Sequence, residues 1–181
     1  MRRSLWEALN LIKITLADQN LNREELHALI TEFYILQGSL FPTGVGENIT
    51  LEDATNDFWR EFDTYFPPTG VIALAHDADE KLLGCGMMRK IRPDAAEFKR
   101  MFVRPEGRGQ GIGRMLVERR MEVAKEMGIT AIYADTLTAS TTMHEMYRDL
   151  GFKQIARYPE SHTVEHFPEL EELLIYFHKD L

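Results

Sequence analysis

An α/β fold built on a mixed sheet is what this chain predicts, on three observations. Strand-like and helix-like stretches alternate along it. Three strand-like stretches follow one another between residues 71 and 103. A glycine-rich turn then joins the last of these to a long helical stretch.

Residues 11–17 (LIKITLA) alternate as a strand does. Asn22 is an N-cap with Glu25 three residues on, the spacing of a capping box, and Leu26, Leu29, Ile30 and Phe33 recur at helical spacing, so 23–37 is a helix. Residues 38–50 are turn-rich. A second helix fits 51–65, where Phe58, Phe62 and Tyr65 recur and Pro67-Pro68 stops the run. VIALAHD (71–77), LLGCGMMRKI (82–91) and AEFKRMFV (96–103) are strands joined by short turns, which predicts an antiparallel meander. A helix over Ile112–Met127 ends at the C-cap glycine Gly128. A strand over 129–136, a helix over 141–150, and strands over 152–157 and 173–181 complete the order β-α-α-β-β-β-α-β-α-β-β.

Composition narrows the class. In 181 residues, 44% are hydrophobic and 28% charged, which excludes disorder, collagen and a disulfide scaffold. The lone Cys85 has no internal disulfide partner, so a reducing, cytoplasmic setting is expected. No apolar run approaches the roughly 20 residues that span a bilayer, so no membrane partner is expected. Glu7 and Lys13 interrupt any leader-like apolar region near the start. A net charge of −8 repels phosphate backbones, and the basic clusters Arg89–Arg92 and Lys99-Arg100 are too small to reverse that; no nucleic-acid partner is expected.

The densest chemical signal is Val103-Arg104-Pro105-Glu106-Gly107-Arg108-Gly109-Gln110-Gly111-Ile112-Gly113, between a strand and a helix start. Glycines there allow positive φ and close ligand approach, and a helix N-terminus behind them presents free N–H groups and positive dipole charge, an anion site fit for a pyrophosphate. The dinucleotide pattern G-x-G-x-x-G fails, because Ile112 or Arg114 stands where its third glycine belongs. The triphosphatase pattern fails for want of any Gly-Lys-Ser/Thr. Arg108 to Gly113 does fit R/Q-x-x-G-x-G/A.

With its preceding strand and following helix, this segment resembles the acetyl-CoA-binding motif of the GNAT superfamily of N-acetyltransferases. Met146-Tyr147-Arg148-Asp149-Leu150-Gly151-Phe152 resembles the family's L-Y-x-x-L-G-F, and Asp135-Thr136-Leu137 resembles the D/E-T-L of a bacterial subgroup. The resemblance is specific over 96–155, weaker over 70–95 and without substance over 18–69. It implies the GNAT fold: a central, mostly antiparallel sheet splayed at a bulge, with flanking helices. It also implies a single acetyltransferase domain over 1–181, with acceptor-side helices at about 18–69, a cofactor-binding core at about 70–157 and a C-terminal loop and strand at 158–181.

The resemblance further implies roles for residues. Backbone N–H groups of Arg108, Gly109, Gln110, Gly111, Ile112 and Gly113 hold the pyrophosphate, with Arg108 and Arg114 adding positive charge. Free backbone groups of Met101, Phe102 and Val103 pair with the pantetheine arm, and an N–H near Met101 or Phe102 polarises the thioester carbonyl. Tyr147 is the acid that protonates the leaving thiolate, and Ser140 replaces a frequent asparagine near the pantetheine. Met143 replaces a usual alanine. Glu97, six residues before Val103, matches a catalytic glutamate of some protein-acetylating members; on a regular strand it shares a face with Lys99, Met101 and Val103. Water is the alternative to Glu97 as base. A solvent-facing position is expected for His144 and a core position for Cys85, so a covalent cysteine route is disfavoured.

His162-Thr163-Val164-Glu165-His166 matches the zinc pattern H-x-x-E-H, but Pro159 and Pro168 bracket it too closely for a supporting helix, so a polar loop and no metal are expected. The leading functional expectation is acetyl transfer from acetyl-CoA to a small-molecule amine by direct attack in a ternary complex. The alternatives are a silent acetyl-CoA sensor, a protein N-acetyltransferase and a structural partner assembled through the aromatic 33–66 region. Homodimerisation is compatible with each.

Overall fold

The computed structural model describes residues 12–18 and 20–181; the reading of the N-terminus and the first residue of the 11–17 strand lie outside them. Seven strands form one sheet in the order β1-β2-β3-β4-β5-β7-β6. They are β1 (Lys13–Leu16), β2 (Gly70–His76), β3 (Leu82–Arg92), β4 (Ala95–Val103), β5 (Ala131–Leu137), β6 (Lys153–Ile155) and β7 (Leu174–Asp180). The meander β2-β3-β4 is antiparallel as expected; β4 and β5 are the parallel pair, and β7 enters between β5 and β6.

The helices are α1 (Arg23–Ser39), α2 (Leu51–Arg60), α3 (Ile112–Glu126), α4 (Thr141–Asp149) and α5 (His162–His166). The Asn22 side chain accepts from the Glu25 N–H at the start of α1, and Thr50 with Asp53 forms a reciprocal capping box on α2. That helix stops five residues short of the expected 65, its continuation tightening into a 3₁₀ turn over Phe62–Tyr65. Strand alternation splits the core between two faces. Ile72, Leu74 and Met87 pack with Leu26, Leu29 and Ile30 of α1 and Phe58 of α2; Val71, Met88 and Phe98 pack with Val117 of α3 and Tyr147 of α4. Each fully buried aliphatic contributes about 1.5–3 kcal/mol, so both helix layers are fastened to the sheet.

Two irregularities position the site. Cys85 pairs with Phe102 and Met87 with Lys99, so Arg100 and Met101 together oppose Gly86, a bulge in which Arg100 has φ +45°. The parallel β4–β5 ladder runs only from Ala95/Ala131 to Phe98/Ala134. Beyond Phe98 the two strands part, and the β5-facing backbone edge of β4 loses its strand partner.

Two local expectations need correction. Residues 162–166 form a helix rather than a loop, because its first N–H is held from outside: His162 N–H donates to the buried Glu97 carboxylate. His144 is buried rather than solvent-facing, its Nε2 2.9 Å from the Leu137 carbonyl at the end of β5.

Candidate active site

The glycine loop ends in two left-handed residues, Gly109 at φ +75° and Gly111 at φ +77°, the latter serving as N-cap of α3. A Cβ at either would meet nothing within 4 Å, so the backbone angle demands glycine and the space above is left open. The first intrahelical bond runs from Met115 N–H to Gly111 O, which leaves the N–H groups of Ile112, Gly113 and Arg114 without helix partners. No acidic residue lies in this first turn. The loop thus offers free N–H donors, positive dipole charge and room to an anion. Arg108 donates to the Val103 carbonyl, Gln110 to the Glu106 carbonyl, and Arg114 pairs with Glu118 at the surface.

From this loop the parted strands lead inward. Gly113 packs within 3.4 Å (measured from a Cβ position) of Met101, and Met101 lines a cavity of about 360 Å³. Phe98, Lys99, Arg100 and Met101 all line it: four consecutive residues, where a regular strand presents alternate ones. The bulge is the reason. Of the residues the sequence singles out, Met101, Ser140, Met143, Tyr147 and the Asp135-Thr136-Leu137 run line the cavity, as do His162 and Thr163 of the H-x-x-E-H pattern; Glu97, Phe102, Val103 and the glycine loop do not. The Phe102 side chain packs under α1, and Ser140 is the N-cap of α4 with its hydroxyl making no cap bond.

Tyr147 is 3% exposed, and no described residue hydrogen-bonds its hydroxyl. Burial pushes its phenol up to about 12, against the opposing field of Arg120, so it carries its proton at neutral pH. Arg120 is itself fully buried behind the bulge, donating to the Leu116 and Met87 carbonyls and lying 4.2 Å from the Phe98 ring centroid. A Cβ on Gly86 would lie 2.8 Å from its guanidinium, which accounts for glycine there. Cys85 is buried with its thiol pushed up to about 12 by burial, so it is no nucleophile.

Glu97 is fully buried on the far side of the bulge. Its Oε2 takes Arg89 Nε at 3.0 Å; its Oε1 takes the Tyr158 hydroxyl at 2.6 Å and the His162 N–H at 3.3 Å. Both oxygens are engaged, and neither reaches the cavity.

Away from the glycine loop, one side of the cavity is a polar network assembled from residues far apart in the chain. Arg100, 7% exposed, donates to the Tyr34 hydroxyl and Asp57 and is bonded to Glu61 and Tyr65. His162 Nε2 lies 2.7 Å from Glu61 Oε2 without hydrogen-bond alignment, and His166 Nδ1 meets Asp57 Oδ1. Burial disfavours the charged imidazolium of His162 more strongly than Glu61 favours it, so its pKa falls below the ordinary value. Burial works against the Glu61 carboxylate as well, but His162 and Arg100 outweigh it and hold the group far below the usual range. Asp57, His162 and His166 bring three potential metal ligands within 4.8 Å of one another, the one such set among the described residues. Arg100 and Arg60 already sit on the Asp57 carboxylate, so a cation there would face two guanidiniums.

A signal for this network exists in the sequence. Glu97, Lys99 and Arg100 put three charges within four residues of a central strand, where burial of a charge requires partners.

A splayed parallel pair, with a glycine-capped helix at one end and a cavity of mixed apolar and charged lining at the other, is an acyltransferase architecture. The chain belongs to the acetyltransferase (GNAT) family, whose profile matches residues 25–152. An uncharacterized N-acetyltransferase of Schizosaccharomyces pombe is 29% identical over 114 residues, covering 62% of this chain and 70% of that protein. An amino-acid acetyltransferase of Mycobacterium tuberculosis is 29% identical over 67% of this chain and 59% of its own length. Among solved structures, an acetyltransferase from Streptococcus agalactiae superposes with a TM-score of 0.71 at 24% identity over 94% of this chain and 98% of that one. A paiA N-acetyltransferase from Thermoplasma acidophilum, solved with coenzyme A, gives 0.66 at 18% identity over 94% and 99%. No described helix is long and apolar enough to cross a membrane.

Proposed function

We propose that the protein transfers the acetyl group of acetyl-CoA to an amine of a small-molecule acceptor within a ternary complex. The observation that carries this reading is the unpaired edge of β4 beyond Phe98, running from the glycine loop to the cavity. Acetyl-CoA, when bound, supplies an activated thioester. The free N–H groups at the start of α3 and the loop backbone from Gly109 bind its pyrophosphate; the Arg108 N–H, expected among these donors, is already given to the Pro105 carbonyl. The edge of Met101, Phe102 and Val103 pairs with the pantetheine arm as an added strand would, and an N–H there polarises the carbonyl oxygen. The Tyr147 hydroxyl donates its proton to the sulfur as the C–S bond breaks, and Arg120 stabilises the resulting phenolate. Cys85, buried and protonated, takes no part.

Glu97 does not receive the amine proton in this reading. Its carboxylate holds α5 through the His162 N–H, and the neutral imidazole of His162, on the cavity wall, accepts that proton directly or through one water.

Calorimetric titration with acetyl-CoA, with NAD and ATP as controls, tests the first half. Micromolar binding of acetyl-CoA alone, about −8 kcal/mol, is expected; its absence overturns the reading. Thiol release across an amine panel tests the second half. Tyr147→Phe is expected to lower turnover by roughly 10²-fold with acetyl-CoA affinity nearly constant, and unchanged turnover removes Tyr147 from the chemistry.

A further inference from the structure

The cavity carries two charges that the protein itself leaves half-used, and they are joined through one hydroxyl. Lys99 is 7% exposed, and its Nζ donates to Thr163 Oγ1 at 3.0 Å. Its nearest carboxylate, Glu97, stands at 3.8 Å, beyond hydrogen-bond distance, and is already bonded to Arg89, Tyr158 and the His162 N–H. An ammonium has three protons to place, and Thr163 takes one.

Asp135, on the facing strand, accepts from Thr163 at Oδ1 and from Ser161 at Oδ2, at 3.0 and 2.9 Å. No cation among the described residues pairs with it, although Asp57, Glu61 and Glu97 all have guanidinium partners. Both Lys99 and Asp135 line the cavity. Two hydrogen bonds through a single hydroxyl keep an unsatisfied ammonium and an uncompensated carboxylate within one head group's reach. Such a pair is complementary to a zwitterion. Arg100 offers no such anchor, because its guanidinium is already bonded to Tyr34, Asp57, Glu61 and Tyr65.

Apart from the polar network around Asp57 and His162, much of the wall is apolar. Phe33, Phe41, Ile49, Phe167 and Leu170 line the same cavity from α1, the loop that follows it, α2's approach and the segment after α5. We infer that the acceptor is an α-amino acid with an apolar side chain: Lys99 takes its carboxylate, Asp135 its ammonium, and the aromatic wall its side chain. This rests on the acetyltransferase reading above and narrows its acceptor. A peptide or protein N-terminus lacks the adjacent carboxylate and leaves Lys99 unsatisfied. A polyamine sets a second ammonium against Lys99.

The test compares thiol release from acetyl-CoA with methionine, leucine and phenylalanine, with their amides, and with phenethylamine and spermidine. For the intact protein, kcat/KM is expected to favour each free amino acid over its amide by roughly 10²-fold or more, because the amide cannot pair Lys99. Equal rates for acid and amide, a preference for spermidine, or no release from any amino acid overturns the proposal, whatever the variants do. Lys99→Met is expected to collapse the acid-to-amide ratio toward unity, and Thr163→Val to reduce it in part; a ratio that survives Lys99→Met also overturns it. Asp135→Asn is expected to raise KM for acid and amide alike. The acetyl-CoA titration separates the two failures. Absent cofactor binding sinks the acetyltransferase reading itself; cofactor binding without amino-acid acetylation sinks only the acceptor assignment.

Discussion

The two halves of the site are built from different materials. At the α3 end, binding capacity resides in backbone: free N–H groups, two residues at positive φ and an unpaired strand edge, all supplied by one continuous stretch from Met101 to Arg114. At the α1/α2/α5 end it resides in side chains drawn from residues 34, 57, 61, 99, 100, 135 and 162, brought together only by the fold. A backbone site tolerates most side-chain changes and fails when the chain path or the space above it changes. A side-chain site fails one partner at a time, and each failure strands a buried charge.

Gly111→Glu gives the sharpest contrast. It sets a carboxylate at the positive end of α3 and forces a non-glycine residue to φ +77°. The strain costs roughly 1–2 kcal/mol, which a folded domain absorbs, while acetyl-CoA binding is expected to vanish in calorimetry. Retained binding would mean that the loop is only a turn. Arg100→Met does the reverse. It leaves the loop untouched and strips Asp57 and Glu61 of a shared buried cation, so a loss of about 3–5 kcal/mol in urea unfolding is expected. A loss under about 1 kcal/mol would show the network to be solvated.

That contrast also governs what was legible in advance. The meander, the α3 segment and the glycine loop follow from local rules: period-two alternation, a C-cap glycine, and glycines before a helix start. The polar half does not. Asp57 reads as one more polar residue on an amphipathic helix, and His162 sits in a proline-bracketed window too short to hold a helix unaided. Helix α5 exists because Glu97, 65 residues earlier, accepts its first N–H. Glu97 itself fits a catalytic position by spacing, yet Arg89 and Tyr158 consume its oxygens. No periodicity reports that, since it depends on the register of β4 against β3. The place of β7 between β5 and β6 is equally a matter of long-range pairing.

Two groups of the polar half have folded pKa values displaced downward. His162 has its folded pKa depressed below 6.5, chiefly by burial, and Glu61 has its own depressed below 4.5, where His162 and Arg100 overcome burial. For each, the unfolded chain binds the proton more readily, so stability is complete above the unfolded value and is lost as pH falls toward the folded one. Unfolding free energy is expected to decline as pH drops below about 6.5, at no more than about 1.4 kcal/mol per unit for one proton. It should decline again below about 4.5. His162→Gln should flatten the first decline and leave the second. A first decline of unaltered slope in that variant would assign it to another histidine.

The smallest effect is expected where a side chain serves the backbone half. Ser140 lines the cavity at the start of α4, yet its hydroxyl caps no N–H, so Ser140→Ala removes nothing the fold depends on and stability should stay within about 0.5 kcal/mol. A lost hydrogen bond to the pantetheine arm is worth about 0.5–1.5 kcal/mol, a fall of roughly 2- to 10-fold in acetyl-CoA affinity. The proposed reading gives most of the binding to the strand edge and the N–H cradle, so a fall of 100-fold or more would contradict the division. It would make Ser140 an anchor in its own right, and the two halves of the site would then differ in degree rather than in kind.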